Sequence, residues 1–332
     1  MSQWLIGLDE AGYGPNLGPL TIAGCSWMLE SDSLDLYQIL NQTVSPDSHR
    51  QNSRLQIADS KMVYQRGDLR SLELPVLAAI YAAYQTVPGN FRELIECLNP
   101  LNLSPNIKPR PIIETKPSLP PWQNVQDWQS TSLPISCSIT DVIATGKRLS
   151  HDCQAVGVSL KQLACLAIFP DEFNRLLADH GNKGTLLSTK TLEIASCFLD
   201  SCPDHSVHFF FDKHGGRSKY GPFIQHIMTD QFVFAGIESP DSSQYHFLQN
   251  NRTINLSFNA RGETCLATAL GSMIAKYCRE IAMLIWNKYW GTLIPNLKPT
   301  QGYPQDAKRF MKDIDSTRLE LKLAAESIWR TK

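Results

Sequence analysis

Four carboxylates are the residues of this chain best placed to do chemistry. Asp9 and Glu10 close an apolar run, Trp4-Leu5-Ile6-Gly7-Leu8. Asp212 closes another, His208-Phe209-Phe210-Phe211, and Glu263 stands just before the longest helical pattern. An apolar run ending in an acid has the form of a buried strand with a site residue at its C-terminal end. Strand ends of one parallel or mixed sheet meet along one edge, so acids distant in sequence can be gathered there. Carboxylates brought together repel one another, and such a cluster becomes tolerable when cations neutralise it. Hard divalent ions that take oxygen ligands, Mg²⁺ or Mn²⁺, suit the set. Two of them about 4 Å apart can activate a water and stabilise the leaving oxygen in phosphodiester hydrolysis. Each acid taken singly has a plainer reading, as a turn cap or a solvated side chain. Adjacent strand residues point to opposite faces, so Asp9 and Glu10 share a site only if the chain bends. Gly12 and Gly14 give room for that bend.

The elements that must position these acids are legible as patterns. Residues 4–8 and Leu20 to Leu29 read as strands joined by the glycine-rich turn Ala11-Gly12-Tyr13-Gly14-Pro15, hence as antiparallel neighbours. Residues 208–212 and 231–238 read as further strands. Tyr245–Leu248 and Thr253–Phe258 read as a hairpin turning at Asn250-Asn251. Short apolar runs occupy 154–160 and 164–169. Helical spacing marks 71–84, 185–199 and, most strongly, 264–290, where Leu266, Leu270, Met273, Ile274, Tyr277, Ile281, Leu284 and Ile285 share one stripe. Thr268, Ser272, Lys276 and Arg279 lie together on the opposite side. Residues 315–330 are a further helix candidate. Seven prolines between Pro100 and Pro121 exclude regular helix or central strand there.

In this order the motifs resemble those of ribonuclease HII, the type 2 ribonuclease H family. Gly7-Leu8-Asp9-Glu10-Ala11-Gly12-Tyr13-Gly14-Pro15, with Gly18-Pro19-Leu20 after it, is similar to the family's opening D-E-A-G-R-G-P segment. Asp59-Ser60-Lys61 is similar to its D-S-K loop. Asp212 resembles its third acid. Leu270-Gly271-Ser272-Met273-Ile274-Ala275-Lys276 with Arg279-Glu280 resembles its A-A-S-I-x-A-K-x-x-R-D helix, and Gly302-Tyr303-Pro304 resembles its late G-Y-x-T segment.

The resemblance implies an α/β, ribonuclease H-like fold: a mixed five-stranded sheet flanked by helices, here with a Pro-rich insertion and a helical C-terminal part. It implies hydrolysis of the RNA strand of RNA–DNA hybrids, or cleavage at ribonucleotides in DNA, with Mg²⁺ or Mn²⁺ held by Asp9, Glu10, Asp212 and Glu263. Asp9 would bridge two ions. Two departures stand out. Alignment on Ser272 and Lys276 puts the family's fourth acid, an Asp, at Gly262, so Glu263 comes one residue later and is one methylene longer. Tyr13 stands where the family carries an Arg that assists recognition near the ribose 2′-hydroxyl. A hairpin over 243–259 absorbs the extra length before Glu263.

Substrate contacts are expected from Gly12, Tyr13 and Gly14 through the backbone, from Ser60 and Lys61 to phosphates, and from Tyr303 against a sugar. Ser272 and Lys276, with Arg279, are expected either to reach phosphate or to support the acids; a solvated helix face is the plainer alternative. Lys213, His214, Arg217 and Lys219 form the densest basic cluster near an acid, suited to a polyanion, and His214 has the alternative role of proton transfer. Phe91, Trp122 and Trp128 suit base stacking or anchoring of the insertion.

At 332 residues with 42% hydrophobic composition the chain can build one large core with additions. Residues 1–85 and 151–290 form the expected catalytic core, 86–150 an insertion and 291–332 a C-terminal helical segment. A net charge of −1 neither supports nor excludes nucleic acid. Nine scattered cysteines without a CxxC pair read as reduced thiols. The start lacks the pattern of a signal peptide and no stretch is long enough to span a membrane, so a soluble, cytoplasmic monomer is expected. A ribonuclease H-like protein that binds nucleic acid without cutting it, and a nuclease for another nucleic-acid substrate, are the alternatives.

Overall fold

The computed structural model describes residues 2–47, 54–65, 67–103, 125–202 and 205–331. Trp122 and the prolines from 105 to 121 lie outside the described residues. Seven strands form the main sheet: β1 (Gln3–Ala11), β2 (Leu20–Leu29), β3 (Val158–Ile168), β4 (Val207–Asp212), β5 (Phe234–Glu238), β6 (Ser242–Gln249) and β7 (Arg252–Asn259). Their order is β3-β2-β1-β4-β7-β6-β5. β1 pairs antiparallel with β2 and parallel with β4, and β4 pairs parallel with β7. The first five strands in that order are the mixed sheet of a ribonuclease H-like α/β fold. The antiparallel strands β6 and β5 extend it on one side.

Local sequence explains the strands. β1 is buried from Trp4 to Asp9, as an apolar run must be when both faces of a central strand are covered. β6 and β7 alternate buried and exposed residues instead, because they carry helices on one face only. Asn250 and Asn251 both take positive φ, 53° and 60°, the backbone that a two-residue hairpin turn demands. The two apolar runs around residue 160 prove to be the single long strand β3.

Eight longer helices flank the sheet: α1 (Arg70–Tyr84), α2 (Phe91–Cys97), α3 (Ile139–Ala155), α4 (Pro170–His180), α5 (Lys183–Asp200), α6 (Gly221–Ile227), α7 (Leu266–Leu293) and α8 (Pro304–Glu320). One core packs α1, α2, α3 and α7 against one face of the sheet; a second packs α4, α5 and α6 against the other. A third cluster joins Leu17 and the C-terminal half of α7 to α8 and Ile328. The described parts of the 86–150 insertion share the first core. Phe91 and Trp128 are fully buried with ring centroids 4.6 Å apart, and Trp128 meets Phe169. These two rings anchor the segment and are closed to base stacking. The last long helix begins at Pro304, well before residue 315, with proline in the first turn where a missing N–H costs nothing. No described helix is long and apolar enough to cross a membrane, and all nine cysteines are free.

Candidate carboxylate site

The gap that creates the site is a consequence of register. β1 stays paired with β2 as far as Ala11, opposite Thr21, but its ladder with β4 ends at Leu8 and Phe211. Beyond that point the two parallel strands part, and Asp9, Glu10 and Asp212 stand at the opening. Asp212 is still paired through β4 with Asn259 of β7. Glu263 enters from a 3₁₀ turn, Gly262–Thr264, that leads into α7. The polypeptide thus brings acids from three separate segments to one strand-end cleft.

Electrostatics show how close that gathering is. Burial, followed by the charge of Glu10 and then by those of Glu263 and Asp212, holds the Asp9 carboxyl well above the ordinary carboxylate range, against a hydrogen bond from Ser272. Burial and then the Asp212 charge push Glu10 up to about 7, while Lys61 acts in the opposite sense. Glu263 is raised first by burial, with Asp212 and Asp59 adding to it. Adjacent as they are, Asp9 and Glu10 both feel the charge of Asp212. The Asp9 carboxylate accepts the Glu10 N–H at 2.7 Å, and both residues stay in the β1–β2 ladder, so the bend expected between them is absent.

Asp212 and Glu263 each have a tether of their own. Asp212 accepts the N–H of Gly262 at 3.1 Å. Glu263 lies 3.9 Å from the Lys61 ammonium, which is itself mostly exposed. As the side chains lie, no group of three His, Cys, Asp or Glu among the described residues is close enough to hold one ion. The donor chemistry nevertheless fits a divalent cation. The donors are all carboxylates, they are partly or wholly withdrawn from water, and their charges oppose one another. Gly262 settles one departure noted in the sequence. A Cβ there would sit 2.7 Å from the Asp212 N and 2.8 Å from its Cα, so no acid fits at that position. Glu263, one residue on, is the acid this turn can present.

The polar stripe of α7 is buried beneath the cleft. Thr268, Ser272 and Arg279 are all closed to solvent, so the stripe is neither a solvated face nor, for these residues, a phosphate-facing one. The Ser272 and Ser60 hydroxyls are hydrogen-bonded at 3.0 Å, and Ser272 also holds Asp9. Ser60 is therefore turned inward, in contrast to the phosphate contact its motif suggested; it steadies Asp9 through Ser272. The short turn Ser60–Val63 is capped by Asp59, whose carboxylate accepts the Lys61 N–H at 2.8 Å. Asp59 is a site neighbour the motif reading passed over, although an Asp before a turn is a recognisable capping signal. Lys61 stays at the exposed rim. Lys276 is tied to Glu280 at 2.7 Å and lies 5.0 Å from the Tyr64 ring centroid, and Glu280 also accepts from Tyr64.

The glycine turn forms the other rim. Gly12 has a φ of +85°, and a Cβ there would lie 2.6 Å from both Arg279 Nε and the Pro19 carbonyl, so only glycine fits. Gly14 is exposed with open space around it and needs no special backbone. Tyr13 is half-buried, and the Glu10 charge adds to burial in raising its phenol while Arg217 opposes this. Tyr303 is 52% exposed at the start of α8. Of the basic loop, Arg217 stacks over Phe223 at 4.4 Å and Lys219 is exposed. Lys213 spends its ammonium on Arg217 O, Ser239 O and Ser243 Oγ. His214 is buried, with Nδ1 3.0 Å from Ser188 Oγ, and burial and Arg217 push it down to about 3. It is a packed, neutral imidazole, and a proton-transfer role does not suit that setting.

The class defined by this chain is an α/β protein with a ribonuclease H-like mixed sheet and a carboxylate cleft at its parallel strand ends. No family model matches the chain, and no curated protein does. It is similar to several solved structures. One is that of the PCNA:RNase HII complex from Archaeoglobus fulgidus, at 12% identity over 99% of this chain and 94% of that one, with a TM-score of 0.41. Another is the ribonuclease H2 from Pyrococcus horikoshii OT3, at 12% identity over 98% and 92%, with a TM-score of 0.41. A third is Bst-RNase HIII in complex with Mn²⁺, at 12% identity over 98% and 68%, with a TM-score of 0.37. The fold itself rests on the strand order within this chain.

Proposed function

We propose that the chain is a divalent-metal-dependent endonuclease of the ribonuclease H type. Its substrate would be the RNA strand of an RNA–DNA hybrid, or a ribonucleotide within DNA, cut to leave 3′-hydroxyl and 5′-phosphate ends, with the protein acting as a monomer. The observation that carries this reading is the end of the β1–β4 ladder at Leu8 and Phe211, which leaves Asp9, Glu10 and Asp212 at one opening, with Glu263 on the turn into α7 near enough for its charge to act on Asp9 and Glu10. Buried acids that raise one another are held at a cost, and functional sites are where such costs persist.

Asp9, Glu10, Asp212 and Glu263 would hold Mg²⁺ or Mn²⁺. Such ions supply an activated water and neutralisation of the leaving oxygen. The chain's own residues prepare the rest. Ser272, backed by Ser60, fixes the Asp9 carboxylate. The Gly262 N–H fixes Asp212. Lys61 stands exposed beside Glu263, where its ammonium would meet a phosphate, and the exposed ring of Tyr303 would lie against a sugar. The Gly12–Gly14 backbone offers a close approach on the opposite side.

The test is cleavage of three matched duplexes: a full hybrid, a DNA duplex with one embedded ribonucleotide, and DNA alone. Each is assayed with Mg²⁺, with Mn²⁺ and with EDTA. Hybrid or ribonucleotide cutting that needs the metal and disappears in Asp9→Asn is expected; equal cutting in EDTA would overturn the reading. One observation favours a second reading, a protein that binds hybrid without cutting it. Glu263 is committed to Lys61, and no three acids chelate as placed. Tight hybrid binding with no product in Mn²⁺ would select it. Cutting of DNA alone would select a nuclease for another substrate.

A further inference from the structure

The last residues of the chain return to the glycine turn from more than three hundred positions away. Arg330 is completely buried. Its Nη2 donates to the Gly12 carbonyl at 2.7 Å and to the Pro15 carbonyl, and its guanidinium lies 4.9 Å from the Phe173 ring centroid. Its backbone N–H donates to Asn16 O at 2.8 Å, and Asn16 Nδ2 returns a bond to Arg330 O at 3.1 Å. Behind the same turn, Arg279 packs against Gly12 and donates to Gln301 O. Gly302 O accepts the N–H groups of Asn16 and Leu17.

The two bonds from the Arg330 guanidinium draw the Gly12 and Pro15 carbonyls of the turn inward, while Arg279 closes the space behind Gly12. Among the described residues the amides of Tyr13 and Gly14 make no hydrogen bond, and Gly14 is open to solvent. Turning carbonyls in and amides out makes a surface that suits an anion. The arrangement is costly. The Nε and Nη1 of Arg330 and the Nε of Arg279 have no hydrogen-bond partner among the described residues. Burial and the neighbouring Arg279 charge push Arg330 down to about 9. A neutral side chain could close the same gap more cheaply, so a second buried cation behind the turn calls for a reason beyond packing.

We propose that Arg330 is a positioning residue: from the C-terminal segment it fixes the 12–15 turn so that the Tyr13 and Gly14 amides face a backbone phosphate of the substrate. The identity of the anion rests on the nuclease reading; the fixing of the turn does not. The experiment compares wild type, Arg330→Lys and Arg330→Met as full chains. It reads KM and kcat on a metal-supported hybrid substrate, and amide hydrogen exchange across residues 12–16. Arg330→Met is expected to speed exchange at the turn at least tenfold and to raise KM about tenfold while kcat stays within about twofold, as loss of uniform binding predicts. Arg330→Lys, which keeps a donor and the charge, is expected to recover most of the KM. Unchanged turn exchange in both variants would overturn the proposal, as would a loss confined to kcat. If Arg330→Met does not fold, Arg330→Lys decides, by an intermediate KM with faster turn exchange. If the wild type neither binds nor cuts hybrid, the nuclease reading fails, and exchange at residues 12–16 alone decides whether Arg330 fixes the turn.

Discussion

Two of the regions that bury carboxylates, the strand-end cleft and the surroundings of Glu73, do so in opposite ways. Glu73, in α1, is completely inaccessible, yet it is surrounded by donors: the N–H groups of Ile135, Ser136 and Cys137 and the Tyr277 hydroxyl. Its charge is felt by its neighbours, adding to burial in pushing the Cys137 thiol up to about 12 and in raising the Tyr277 phenol. The strand-end acids have few donors and face one another. Asp9 receives the Glu10 amide and a Ser272 hydroxyl while three other carboxylates act against it. A buried acid wrapped in donors pins a loop to a helix; buried acids set against each other are an unfilled demand for positive charge. The depth of burial does not distinguish the two regions. The sign of what surrounds each carboxylate does.

Neutral substitution should separate them most widely. Asp9→Asn and Asp212→Asn are expected to lower metal-supported hybrid cleavage by about 10³-fold or more, the scale of removing a group that stabilises transition-state charge. The same Asp9→Asn should raise the melting temperature in EDTA, because it removes a charge that the other acids oppose. A fall in EDTA would break the comparison. Glu73→Gln should do the reverse, costing about 2–4 kcal/mol of stability through strained or unsatisfied donors, read by urea unfolding. Its kcat per folded molecule should match wild type. Loss of kcat at full folding would place Glu73 in the machinery and erase the distinction.

Sequence patterns exposed one of these regions and hid the other. Asp9, Glu10 and Asp212 announce themselves because each ends an apolar strand, and strand ends of a mixed sheet share an edge. Glu73 has no such mark, since its donors lie more than sixty positions away and arrive through the fold. The length of α7 is evident from its spacing, but the setting of its polar stripe is not. Thr268, Ser272 and Arg279 look like an outer face until the cleft and the α8 region are seen to cover them. The displaced fourth acid is explained only by contact, since Gly262 lies against the Asp212 backbone and leaves no space for a side chain. Pro304 in the first turn of α8 is a start signal that its sequence carries, although the helix lies largely before residue 315. The meeting of Arg330 with Gly12 is wholly tertiary.

Divalent ions offer the next test of the contrast. If the strand-end acids take up Mg²⁺ or Mn²⁺ in the folded state only, an ion at about 100 times its Kd should stabilise the wild type by about 2.7 kcal/mol. The gain should persist in Glu73→Gln, whose carboxylate is already satisfied, and vanish in Asp9→Asn. Titration calorimetry and thermal melts in the same buffer check it. Equal stabilisation of all three proteins would move the ion away from the β1–β4 opening.

The smallest expected effect lies between the two regions, at Ser272. Among the described residues its hydroxyl is the one side-chain donor set against Asp9, and it also meets Ser60 Oγ at 3.0 Å. In that respect it is the strand-end counterpart of the donors around Glu73, reduced to a single bond. Ser272→Ala keeps the helix and the packing, removes that bond and leaves the Ser60 hydroxyl short of a partner. Groups that orient a metal ligand through one hydrogen bond usually contribute about 10–100-fold in affinity or activity. Ser272→Ala should therefore weaken the apparent metal affinity about tenfold, with kcat at saturating Mn²⁺ recovering to within a few-fold of wild type. Ser60→Ala should weaken it less, because it acts one bond further away. A Ser272→Ala protein with unchanged metal affinity would mean that Asp9 is placed by its own backbone contact and by the strand. The two regions would then differ in having no side-chain support at the cleft at all.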